Sequence, residues 1–61
     1  MPIVQVEMFE GRNLDQKRAM VKEITEALVK TINCNAADVQ VIVREMEKEN
    51  FAVAGILSVD C

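Results

Sequence analysis

PIVQVEMFEGRNLDQKRAMVKEITEALVKTI, residues 2–32, decides the fold, because its apolar period changes once, from two residues to about 3.6. In residues 2–9 Val4, Val6 and Met8 share one face while Ile3, Gln5, Glu7 and Phe9 share the other, which is the alternation of a strand. Glu10-Gly11-Arg12 interrupts it. Asn13 and Gln16 then have the spacing of a capping box, and Asp15 falls where the positive end of a helix favours a carboxylate. From Leu14 to Ile32 the residues Val21, Ile24, Leu28 and Ile32, with Met20 and Ala27 beside them, make one apolar stripe. Lys17, Arg18, Lys22, Glu23, Glu26 and Lys30 fall on the opposite, solvated face.

Working outward, Asn33 and Asn35 flank Cys34 and suit a left-handed helix end and the cap of a short turn through Ala36, Ala37 and Asp38. VQVIVREM, residues 39–46, alternates again, with Val39, Val41 and Val43 opposed to Gln40, Ile42 and Arg44. Its valine face belongs on the helix. After the polar run Glu47-Lys48-Glu49-Asn50, the tail FAVAGILSVDC reads as a short hairpin or an arm turning near Gly55. Strand, long helix, strand predicts a βαβ unit with parallel neighbouring strands and a right-handed crossover. The expected fold class is therefore α/β (α+β), one such unit with a C-terminal hairpin, filling residues 1–61 as a single domain.

A chain of 61 residues buries only about 60% of its unfolded surface. Yet 51% of the residues are hydrophobic, and one helix covers only one sheet face. Ile3, Phe9 and Ile42 on the other face, together with two unpaired edges, call for copies of the same chain as partners. The net charge of -3, without a basic stripe, argues against nucleic acid. No stretch approaches the roughly 20 apolar residues of a membrane span, and no secretory signal pattern opens the chain, so the expected location is the cytoplasm. Cys34 and Cys61 have no CxxC spacing and there is no histidine, which leaves free thiols and no metal site as the expectation.

The usual catalytic motifs are missing: no P-loop, no GxGxxG and no GxSxG. What stands out is Pro2. Aminopeptidase removal of Met1 would leave a secondary amine at the head of a strand. An ordinary α-amine titrates near about 7.7–8.0, and apolar surroundings lower that value, toward the range of a good general base.

With Pro2 behind the initiator Met, PIVQVEMFEGR ending at Arg12, DQKR leading the helix, VIVREM, and Phe51 followed by AVAG, the chain resembles the 4-oxalocrotonate tautomerase family over nearly its whole length. The resemblance implies a βαβ fold with a hairpin, commonly a hexamer built from dimers. It also implies a cofactor-independent isomerase acting on small anionic enols and unsaturated 2-oxo acids such as 2-hydroxymuconate. Pro2 would be the catalytic base and then acid. Arg12, from a neighbouring subunit, would bind a substrate carboxylate, and Phe51 would wall the pocket and keep the Pro2 amine neutral. The active site would then exist only in the assembled oligomer.

The chain departs from the family at Gln40, where better studied members carry a second arginine that stabilises enolate charge. An amide can donate a hydrogen bond there, but it supplies no charge, and loss of one such contact costs roughly 100- to 1000-fold in rate. Arg44 shares that strand face and is a candidate stand-in that would serve a longer or differently placed substrate. Two alternatives stay open. One is a catalytically weak or idle oligomeric relative, the reading favoured by Gln40 and by a retained Met1. The other is a hydratase or dehalogenase in which a protonated Pro2 acts as an acid.

Overall fold

The computed structural model describes all residues, 1–61. Strand β1 (Ile3–Phe9) leads into helix α1 (Leu14–Ile32), and strand β2 (Gln40–Met46) returns parallel to β1. The hairpin strands β3 (Ala52–Val53) and β4 (Ile56–Leu57) follow. Short 3-10 turns span Ala36–Asp38, Lys48–Asn50 and Ser58–Asp60. This is the βαβ unit with a hairpin that the periodicity predicts. No helix is long and apolar enough to cross a membrane.

The helix bounds have local causes. Asn13 accepts from the Gln16 backbone N–H at 2.8 Å, and the Gln16 side chain accepts from the Asn13 N–H at 3.0 Å. A cap of this kind contributes about 1 kcal/mol. At the other end Asn33 turns left-handed, with φ 58°, a conformation asparagine tolerates better than most residues.

In the parallel ladder Val4 lies against Val41 and Val6 against Val43. These valines are half-buried under α1, whose inward residues are Met20, Val21, Ile24, Thr25, Leu28 and Val29. Two features differ from the sequence reading. Ile32 and Ala27, assigned to the apolar stripe, are exposed; Ile32 is the last residue of α1, and Ala27 sits at the margin of a stripe that a two-stranded sheet is too narrow to cover. Lys17, assigned to the solvated face, is half-buried and bonds Glu45 at 2.7 Å. Strand alternation puts Glu45 on the valine side of β2, within reach of α1's first turns.

The two central residues of the hairpin, Ala54 (φ 55°) and Gly55 (φ 82°), both have positive φ, as the favoured two-residue turn requires. The tail is thus a hairpin and not an extended arm.

No residue is fully buried. The chain is a slab of 42 × 25 × 14 Å with a radius of gyration of 14.6 Å, against about 10.5 Å for a compact chain of this length. Its accessible surface of 4865 Å² exceeds by roughly 900 Å² what a folded monomer of this mass presents.

Candidate active site

Two clusters form at opposite ends of the β1–β2 pair. At the head of β1, Pro2 is half-buried and its carbonyl accepts from the Gln40 N–H at 3.0 Å, which extends the ladder one residue past Ile3. The Gln40 amide Nε2 reaches the Met1 sulfur at 3.9 Å. Pro2 and Gln40 are thus neighbours, with Met1 projecting into solvent at 81% exposure.

At the far end a groove of about 570 Å³ opens. Phe9 and Met46, partners across the ladder, form its floor with Glu7 and Met8. Arg12 enters from the loop after β1, where Gly11 adopts φ 125°. A side chain at Gly11 would be strained in that conformation, so the turn aiming Arg12 depends on glycine. Asn50 and Phe51 close the other wall. Phe51 is pinned on both sides: its N–H donates to the Lys48 carbonyl at 3.4 Å, and its carbonyl accepts from the Ser58 N–H at 2.8 Å. Its ring meets Phe9 edge-on, with centroids 5.6 Å apart and planes at 81°, a favoured aromatic geometry.

A second, smaller groove shares Phe9 and Met46 and is otherwise edged by Glu10, Glu47, Lys48, Glu49 and Val59. There the Glu47 carboxyl is pushed above its ordinary value, first by a hydrogen bond with Glu49, then by the charge of Glu10 and least by desolvation.

Arg12 and Phe51 are therefore together, and Pro2 and Gln40 are together. The two pairs are not: Pro2 and Phe9 stand seven residues apart along one strand, about 23 Å. Arg44 joins neither cluster. It lies four residues beyond Gln40, about 13 Å along the strand and opposite Glu7 in the ladder.

Sequence reasoning missed Glu7, Met8, Phe9, Met46 and Asn50 as groove residues. A signal existed for Glu7 and Phe9, which share the helix-free face by alternation, and Phe9 and Phe51 are the chain's only aromatics. Asn50 had none, because its place depends on a turn that periodicity does not encode.

A family model described as tautomerase enzyme matches residues 2–60. The chain is 47% identical over 55 residues to a probable tautomerase of Halalkalibacterium halodurans, covering 90% of each chain. It is 39% identical over 56 residues to a 2-hydroxymuconate tautomerase of Comamonas testosteroni, covering 92% of this chain and 89% of the relative. The crystal structure of YwhB, a homologue of 4-oxalocrotonate tautomerase, superposes with a TM-score of 0.94 at 40% identity over 98% of both chains. A heterohexameric 4-oxalocrotonate tautomerase of Chloroflexus aurantiacus gives 0.91 at 25% identity over 98% of this chain and 97% of its own. Sequence, length and the βαβ-hairpin fold agree, and the chain belongs to the 4-oxalocrotonate tautomerase family.

Proposed function

We propose that this chain, a single tautomerase-like domain over residues 1–61, isomerises a small anionic enol or unsaturated 2-oxo acid with the Pro2 amine, once Met1 is removed. The supporting observation is the position of Pro2: one residue from the chain start, half-buried, and held by backbone bonding against Gln40. A neutral amine there takes the enol hydroxyl proton as the 2-oxo group forms, and the resulting prolinium returns that proton to a carbon of the conjugated chain. No atom is gained or lost. Such a transfer asks for a base and for charge stabilisation, and for no metal or cofactor.

Arg12 binds the substrate carboxylate through the fork geometry of guanidinium, and Phe51 helps to exclude water. Because the groove that Arg12 lines opens at the Phe9 end of β1, seven residues and about 23 Å along the strand from Pro2, Arg12 acts on a substrate held by the Pro2 of another copy. The reading therefore includes a homo-oligomer, a hexamer by analogy with the Chloroflexus relative, placed in the cytoplasm. The exposed Ile3 (56%), Ile42 (45%) and Val53 (65%) are the surfaces such an assembly covers. Gln40 donates a hydrogen bond to the developing enolate, and its lack of charge favours slow turnover.

Intact mass establishes removal of Met1, and ultraviolet absorbance then follows 2-hydroxymuconate. The expected result is turnover that Pro2→Ala lowers by about 100- to 10,000-fold. A retained Met1 in the cellular protein, or an undiminished Pro2→Ala rate, overturns the reading. An idle oligomer shows no turnover in either form, and an acid-acting Pro2 shows an amine titrating well above neutral.

A further inference from the structure

Glu7 is the groove residue whose charge opposes the one Arg12 would attract. It lies on the helix-free face of β1 and lines the same groove as Arg12, Phe9 and Phe51. The chain has two ion pairs, Lys17–Glu45 and Arg18–Asp15, and neither involves Glu7 or Arg12. Both charges are therefore open to a ligand. Arg44 lies beside Glu7 in the ladder, yet it makes no ion pair with it and does not line the groove. The remaining walls are apolar, the edge-to-face phenyl pair and Met46, with Asn50 as a neutral polar group.

The charge complement of the site follows. Arg12 neutralises one carboxylate. The Pro2 end contributes an amine that must be uncharged to act as a base, together with the neutral amide of Gln40. A second carboxylate on the substrate would find no cation in the groove and would face Glu7, whereas a phenyl or alkyl body would lie against Phe9 and Phe51. Resting on the tautomerase reading above, we propose that Glu7 is a specificity-determining residue that selects a monocarboxylate enol with an apolar or aryl body and disfavours dicarboxylates. A like charge about 10 Å away at a surface-like dielectric is worth roughly tenfold in binding.

The test compares Met-free protein and Glu7→Gln, a substitution of the same shape without charge at an exposed position. Phenylenolpyruvate serves as the monoanion and 2-hydroxymuconate as the dianion. The parent should prefer the monoanion in kcat/KM. Glu7→Gln should move the ratio toward the dianion by about tenfold at low salt, and by less at about 0.5 M salt, where surface charge is screened. A parent that prefers the dianion, or a ratio that Glu7→Gln leaves within about twofold, overturns the proposal. If the parent turns over neither substrate, the tautomerase reading fails separately. The charge selection is then read by nuclear magnetic resonance, from shifts of Phe9 and Phe51 on titration with 3-phenylpropionate and with adipate. Preference for 3-phenylpropionate that Glu7→Gln relaxes supports it, and equal binding or none overturns it.

Discussion

Glu47 shows how a fully exposed carboxyl departs from ordinary behaviour when others crowd it. Its carboxyl is raised from 4.5 by the Glu49 hydrogen bond and the Glu10 charge. The folded chain therefore holds this proton more tightly than the unfolded chain does. Its contribution to stability is complete below the unfolded value and is lost as pH rises through the folded one. At neutral pH three carboxylates face one another around Phe9 and Met46 with Lys48 as the cation of that groove. Glu47→Gln should accordingly raise the melting temperature at pH 7 and leave it nearly unchanged at pH 4, with the gain shrinking in added salt. Equal shifts at both pH values would show that something other than titration is responsible. Gln40 and Arg44 make the complementary point: alternation puts both on one face of β2, but their neighbours became legible only with the register, which sets Arg44 opposite Glu7.

At the scale of elements, most of the fold was legible. The capping box at Asn13 and Gln16 and the left-handed Asn33 bound α1 where spacing predicted, and alternation placed Val4, Val6, Val41 and Val43 on the helix. What stayed illegible had a common cause, because periodicity reports which face is apolar and not how wide the covering partner is. That is why Ala27 is left uncovered at the margin of the stripe and Lys17 tucks in against Glu45. The groove was half legible for the same reason. Arg12 and Phe51 carried a family resemblance and Phe9 an aromatic signal, but the turn presenting Asn50 is a local backbone event. The hairpin offers its own test. Ala54 sits at φ 55° in a conformation that costs a residue with Cβ roughly 1–2 kcal/mol. Ala54→Gly should therefore stabilise the protein by about 0.5–1 kcal/mol once glycine's greater unfolded entropy is subtracted. Chemical denaturation reads this directly, and a loss of stability would mean that the turn carries no strain.

The whole molecule is a thin slab with no fully buried residue, and Leu14, Ile32, Val53, Ile56 and Val59 are each more than half exposed. A chain in this state has little to hold it folded in dilution, since two strands and one helix cannot enclose a core. The separation of Pro2 from Arg12 by the full length of β1 has a genetic meaning as well as a geometric one. In the proposed assembly the two residues belong to different copies, so two defects can compensate each other. Pro2→Ala and Arg12→Ala chains, each impaired alone, should regain part of the parent activity when denatured together and refolded as a mixture. Wherever an Arg12→Ala chain lends its intact proline to a groove whose arginine comes from a Pro2→Ala chain, one whole centre is restored. A mixture no more active than its components would place both groups in the same copy, against the span of the strand.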